Sequence, residues 1–243
     1  AAALEGYDGP AIVCAQVGEV NTGSVDPVGE IADALGGTGA WVHVDAAFGL
    51  WAAASPELRH LVEGVERADS WATDAHKWLN VPYDCGLAFV KDRAPHRAAM
   101  AMTAEYLVAG AGEAWDAMDW TPEFSRRARG LTVYAALRSL GRSGVAELVD
   151  RCCRHARRFA DELARLPGCE VLNEVVLNQV LFRFASDETT GAVLARVQAS
   201  GEAWMSGTMW EGRPAIRISV SNWRTSDEDV SRTLAAFEKA LPR

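Results

Sequence analysis

Two short segments carry the residues whose types and spacing could do chemistry. His43, Asp45 and Ala47 lie in the run HVDAA, and Lys77 follows in the segment AHKW. Alternation along an extended chain places the first three side chains on one side. A carboxylate that ends an apolar strand is costly unless it meets a cation. The pattern predicts a cationic partner for Asp45, although Asp45 alone could cap a turn and Lys77 alone could be a solvated surface lysine.

The elements predicted around these residues form a parallel α/β unit. Their order is a strand at 11–17, a helix from Asp26-Pro27 to Gly36-Gly37, a strand at 41–49, a short helix near 57–67 and a strand at 86–90. Pro27 suits the first turn of a helix, and the glycine pair suits its end. Strand, helix, strand is the order of a parallel crossover, so function is expected at the strand ends.

The pattern changes after about residue 125. The predicted elements are helices at 127–140, 145–166 and 187–199, strands at 169–172, 179–184, 203–209 and 215–220, and a last helix that a Thr225–Glu228 capping box opens and that runs to about Leu241. We therefore predict an α/β protein with two parts. Residues 1–125 would form part of a large domain with a parallel-type sheet, and residues 126–243 a small α+β domain.

Composition restricts the classes of partner. The 243 residues carry a formal net charge of -9, which argues against nucleic acid because a phosphate-binding surface needs a basic stripe. No run is long and apolar enough for a membrane span, and the first residues do not resemble a signal peptide, so we expect a cytoplasmic protein. Five scattered cysteines without C-x-x-C spacing fit a reducing compartment. Cys152 and Cys153 are expected to pack in a helix, with a redox or metal role as the alternative.

Several blocks, taken together and in order, resemble the fold-type I enzymes that use pyridoxal 5′-phosphate (PLP), and specifically the group II amino-acid decarboxylases. The blocks are HVDAA with AHKW, the segment from Gly18 to Pro27, Asp84-Cys85-Gly86, RRARG at 126–130 and IRIS at 216–219. The resemblance covers essentially the whole chain. It implies a PLP-dependent transferase-like fold, similar to aspartate aminotransferase, and decarboxylation of an L-amino acid to an amine and CO2.

The resemblance also implies roles for the residues around the cofactor. Lys77 would form the Schiff base with PLP, and Asp45 would pair with the protonated pyridine nitrogen, which keeps the ring able to store electrons. Ala47 would pack under the ring. His76 would contact the phosphate or the region of the Schiff base, with a structural histidine as the alternative. His43 could either support the site or simply pack.

On the substrate side the resemblance points to Tyr106 and Arg217. Decarboxylation needs an acid that protonates the substrate Cα. The family places a tyrosine on a mobile loop about thirty residues after the lysine, and Tyr106 lies in a segment of small residues at that spacing. Arg217 would receive the substrate α-carboxylate, because a guanidinium matches a carboxylate in a two-pronged geometry. Packing for Tyr106 and an interdomain ion pair for Arg217 are the alternatives.

The sequence departs from the family pattern at several positions. Val20 stands where the family has a substrate-side threonine, and Glu19 precedes it. Asp74 replaces the asparagine common before the His-Lys pair, and an acid there would repel a phosphate unless it caps a backbone turn or faces away. Thr73 could then act as a phosphate donor instead. These departures leave the substrate unnamed.

Family members also extend well upstream of Ala1, so the chain resembles the C-terminal portion of such an enzyme. We expect either a homodimer or a companion N-terminal segment. The alternatives are another fold-type I enzyme, such as an aminotransferase or desulfurase, or a truncated or split subunit without catalysis. No metal site is predicted.

Overall fold

The computed structural model describes residues 4–101 and 116–242. Its first sheet contains β1 (Ile12–Gln16), β2 (Trp41–Asp45), β3 (Ser70–Asp74) and β4 (Gly86–Val90), in that spatial order. The strands β1 and β2 are parallel, as predicted; β3, which was not predicted as a strand, is parallel to β2, whereas β4 runs antiparallel to β3. The connection between β3 and β4, residues 75–85, is shorter than the dozen or so residues that a parallel crossover requires.

The helices of this half differ from the prediction in three places. Helix α1 (Val28–Ala34) has no side-chain cap, because the Asp26 carboxylate instead accepts a 2.7 Å hydrogen bond from the Gln16 N–H at the end of β1. The single helix predicted near 57–67 is wrong. Short 3₁₀ helices occupy Gly49–Ala54, Arg59–Val62 and Val65–Arg67, and Gly64, at φ +86°, interrupts any continuous helix. Helix α2 (Arg93–Met100) was not predicted.

A long helical segment connects the two halves. Helix α3 spans Arg129–Leu163 and bends at Gly141, whose φ of 63° and ψ of -179° are not helical. The prediction of two helices separated near residue 141 is therefore confirmed. The first part of α3 lies beside the connection between β3 and β4, and the second part is buried against the small sheet.

The C-terminal half is an antiparallel sheet covered by helices. Its strands are β5 (Cys169–Val171), β6 (Gln179–Phe184), β7 (Ser206–Trp210) and β8 (Arg213–Ser219) in the order β5-β6-β8-β7, with helices α4 (Asp187–Ser200) and α5 (Asp227–Ala240). Glu211 and Gly212, both at positive φ, make the two-residue turn between β7 and β8. The capping box of α5 uses Ser226 and Asp229, one residue later than predicted.

One hydrophobic core extends through both halves. It includes Val44 of β2, Cys152 and Cys153 of α3, and Phe182 of β6, all less than 2% exposed. The two cysteines therefore pack as expected, and burial raises the pKa of the Cys153 thiol to about 12. Because this core is shared, the boundary predicted between residues 125 and 126 stays a prediction.

One face of the first sheet is open. Its edge strand β1 exposes Ile12, Cys14 and Gln16, which alternate with the half-buried or buried residues of the opposite face. Ile12 is 71% exposed. Among the described residues, no helix combines the length and the apolar character that crossing a membrane would require.

Candidate active site

The parallel strands end at a common edge, and Asp45 is the last residue of β2 there. It is in register with Gln16 of β1 and Ala72 of β3. The Asp45 side chain is exposed, and its Oδ1 accepts a 3.2 Å hydrogen bond from the Ala47 N–H. Within residues 4–101 and 116–242 no cation pairs with Asp45, so the predicted cationic partner is not found there; the carboxylate instead caps its own turn, and its Oδ2 accepts no hydrogen bond from these residues.

Lys77 lies in the connection between β3 and β4, just beyond the same edge. Its Nζ is 2.9 Å from Oδ2 of Asp74 and 4.6 Å from the centroid of the Phe48 ring. The Lys77 side chain is 27% exposed. The amino group is therefore held between a carboxylate and an aromatic face.

A continuous series of contacts links Lys77 to Asp45 through Asp74 and Ala47. The Ala47 carbonyl accepts from the Asp74 N–H at 3.2 Å, and Ala47 itself donates to Asp45. Thr73 is only 4% exposed, and its hydroxyl donates to the same carbonyl at 3.4 Å. The structure thus brings together the predicted residues Asp45, Ala47, Thr73 and Lys77.

The two histidines predicted near the cofactor have defined partners. His76 Nδ1 lies 3.0 Å from both the N–H and the carbonyl oxygen of Cys85, which closes the base of the lysine loop. The His76 ring contacts Tyr83 at 4.1 Å between centroids, and its Nε2 lies 3.7 Å from Asp74. His43 Nδ1 lies 2.7 Å from the Ser70 hydroxyl in the neighbouring strand. His43 is therefore bound within the sheet.

Arg217 contacts the loop that follows β1. Its Nη1 donates to the Val20 carbonyl at 3.2 Å, and its side chain lines a cavity of about 530 Å³ together with Trp204, Ser206 and Asn222. The loop is closed on itself by Glu19, whose carboxylate accepts from the N–H groups of Asn21 and Thr22 and from the Thr22 hydroxyl. Glu19 thus acts as a loop cap. Tyr106 lies outside the described residues.

Sequence reasoning missed two residues that hold the lysine loop. Asn80, three residues after Lys77 and at φ 56°, donates to the Ser221 carbonyl at 2.8 Å and accepts from the Trp223 N–H at 3.3 Å. Asp84 binds Arg127 at 3.1 Å and Arg129 at 2.8 Å. These arginines, above all Arg129, lower the pKa of Asp84. Asparagine tolerates positive φ, but the sequence does not show which asparagine adopts it. The role of Asn80 could therefore be found only from the backbone.

A family model described as the pyridoxal-dependent decarboxylase conserved domain matches residues 4–185. This chain belongs to that family. Tyrosine decarboxylase 2 of Arabidopsis thaliana is 30% identical over 95% of this chain and 44% of the relative. Tryptophan decarboxylase 1 of Oryza sativa subsp. japonica is 32% identical over 95% of this chain and 48% of the relative.

The fold of this pyridoxal-dependent decarboxylase chain is also that of solved relatives. The crystal structure of Oryza sativa TDC with PLP and tryptamine superposes with a TM-score of 0.88 at 31% identity, covering 94% of this chain and 50% of that chain. The predicted fold-type I architecture is therefore confirmed, with a mixed sheet in place of an all-parallel one. The chain spans about half the length of the curated relatives it matches.

Proposed function

We propose that this protein decarboxylates an L-amino acid to an amine and CO2 with PLP attached to Lys77. One observation carries the proposal: Lys77 and Asp45 lie at the same carboxyl edge of the sheet and are linked indirectly, through the contacts of Asp74 and Ala47. Ligands of open α/β sheets bind at that edge. Family membership makes PLP the cofactor to test.

The donors and acceptors at this edge fit two ends of PLP. The Lys77 amine could attach to the aldehyde of PLP, and the Asp45 carboxylate could accept a hydrogen bond from a protonated ring nitrogen. Ala47, which follows Asp45 by two residues, presents only a methyl group and leaves room for a flat ring. Fewer hydrogen-bond donors are available for the phosphate among the described residues, because the Thr73 hydroxyl already donates to the Ala47 carbonyl. Binding a phosphate would require Thr73 to leave that contact, while His76 would offer Nε2.

Bound PLP supplies an electron sink for the bond broken at the substrate Cα. Asp45 supports that chemistry by holding a proton at the ring nitrogen, since an adjacent carboxylate favours the protonated form. Lys77 would hold the cofactor in place, and Asp74, 2.9 Å from its Nζ, would position its amino group. Arg217 would orient the substrate through its α-carboxylate, and it can do so because one backbone carbonyl, that of Val20, leaves guanidinium N–H groups available.

Tyr106 is proposed as the acid that delivers a proton to the substrate Cα. Protonation at that carbon gives an amine, whereas protonation on the cofactor diverts the reaction to transamination. A phenol at that point therefore separates a decarboxylase from an aminotransferase of the same fold.

The proposal extends to assembly and location. We propose that the active protein is either a homodimer or contains a companion N-terminal segment, because the open face of the first sheet and the incomplete phosphate site both call for further residues. A cytoplasmic location is part of the proposal. It is supported by the five described cysteines, all of which are free thiols.

The test is product analysis with PLP and a panel of L-amino acids, beginning with tyrosine and tryptophan because the curated relatives are named for them. An amine together with stoichiometric CO2 supports the proposal. A keto acid without CO2 identifies an aminotransferase, and alanine with sulfide from cysteine identifies a desulfurase. Binding of PLP without turnover on any member of the panel identifies a non-catalytic subunit.

A further inference from the structure

Asp74 occupies the position at which an acid was expected to oppose the cofactor phosphate. It is the last residue of β3, and both of its backbone groups are engaged. Its N–H donates to Ala47 at 3.2 Å, and its carbonyl accepts from the Trp51 indole at 3.2 Å. The backbone of Asp74 is thereby tied to the edge of the sheet, so its carboxylate starts from a restrained position.

That carboxylate faces the lysine and not an open anion site. Its Oδ2 lies 2.9 Å from Lys77 Nζ, three residues along the chain, and 3.7 Å from His76 Nε2. Both partners of the Asp74–Lys77 pair are about a quarter exposed. The Phe48 ring contacts the same amino group at 4.6 Å from its centroid. The Lys77 amine is therefore localised by two neighbours, Asp74 and Phe48.

We propose that Asp74 is a positioning residue that holds the Lys77 amino group at the edge of the sheet and shields it from other electrophiles until the cofactor is attached. A carboxylate can only accept hydrogen bonds, so Asp74 cannot give a phosphate the N–H that an asparagine would. With aspartate in place of asparagine, residue 74 thus loses a possible hydrogen bond to a phosphate and gains an ion pair with Lys77. The meaning of this device rests on the proposed attachment of PLP to Lys77, whereas the contact itself does not.

The proposal can be tested without cofactor because the chain contains three lysines: Lys77, Lys91 and Lys239. Trace acetylation with acetic anhydride modifies only uncharged amines, and mass spectrometry gives the ratio of Lys77 to Lys239 modification in one sample. Lys91 provides a second internal reference. The ratio in urea-unfolded protein gives the value without tertiary contacts.

Asp74→Asn keeps the shape and removes the charge. We expect it to raise the Lys77 to Lys239 ratio about two- to fivefold, as for loss of a partly exposed ion pair. Asp74→Glu should keep the ratio low, because it restores the carboxylate. Glu63→Gln, which removes one charge from an exposed turn, serves as the matched control and should leave the ratio unchanged.

An unchanged or lower ratio in Asp74→Asn overturns the proposal, as does an equal rise in Glu63→Gln. If Asp74→Asn does not fold, its ratio will equal the urea value, and Asp74→Glu then decides: a ratio at the wild-type level supports the positioning role, and a ratio raised toward the urea value overturns it. The outcome is separate from that of the proposed function. Failure of Lys77 to take up PLP would sink the function while leaving a raised ratio, and PLP attachment with an unchanged ratio would sink only the positioning role.

Discussion

The guanidinium of Arg129 donates to the Asp84 carboxylate at 2.8 Å and to the Asp84 carbonyl at 2.9 Å. Arg127 donates to the same carbonyl at 2.9 Å. The start of α3 is thus bound to the far end of the loop that carries Lys77. This contact connects the lysine to the helix that crosses into the small sheet, and it makes the loop sensitive to a single charge.

That charge predicts a dependence of stability on pH. The arginines lower the folded-state pKa of Asp84, so its contribution is present above the ordinary pKa of an aspartate and is lost as pH falls through the lowered value. Wild type should therefore have a higher unfolding midpoint than Asp84→Asn at neutral pH, and the difference should vanish in strong acid. Denaturant titrations at both pH values measure it. A difference independent of pH would show that the charge of the Asp84 carboxylate is not its source.

Lys77 should carry the cofactor. Borohydride reduction of the PLP-treated protein followed by peptide mapping should place the phosphopyridoxyl group on Lys77, because its amine alone among the three lysines lies beyond the edge of the parallel strands. Lys77→Arg keeps the charge and should abolish the label. Label on Lys91 or Lys239 in wild type would contradict the assignment.

Replacing Tyr106 by phenylalanine should separate binding from chemistry. The variant should bind PLP as wild type does but form amine about a hundredfold more slowly, as for loss of a general acid. Abortive transamination should rise, since the proton then reaches the cofactor instead of the substrate. Amine and aldehyde yields, measured together, provide the readout, because CO2 has already left the substrate when the proton is misdirected. Equal decarboxylation rates in both proteins would reduce Tyr106 to a packing residue.

Arg217→Lys should weaken substrate binding more than cofactor binding. An ammonium cannot reproduce the two-pronged contact with a carboxylate, so KM should rise on the order of tenfold. Arg213→Lys is the matched control, because Arg213 lies on the same strand and pairs with Asp187 at the surface. An unchanged KM in Arg217→Lys, or an equal rise in the control, argues against the assignment.

The open face of the first sheet predicts association of the 243-residue chain. Ile12 on edge strand β1 is 71% exposed, and exposed apolar edges invite pairing with another chain. Light scattering should show oligomers, and Ile12→Thr should reduce them. Leu131→Thr, at an exposed position of α3, should not. A stable monomer that binds PLP at micromolar concentration would show that the face needs no cover.

Residue order alone was enough to recognise the family, because HVDAA, AHKW and the flanking blocks are local patterns that survive without coordinates. It also located most strands and the interruption of α3 at Gly141, since glycine and apolar periodicity act over a few residues. The single helix expected near 57–67 does not form, because Gly64 at positive φ interrupts a weak helical pattern there.

Only the tertiary structure decided what Asp74 contacts. The sequence places Asp74 where related enzymes bind the cofactor phosphate, so its carboxylate was expected to repel that phosphate unless it faced away. In the fold, the turn after β3 brings Lys77 back onto it, so the sign of the interaction reverses. The antiparallel direction of β4 and the Asn80 contacts with Ser221 were likewise decided only by the tertiary structure. They depend on residues far apart in sequence whose approach is set by packing, and no local pattern encodes that distance.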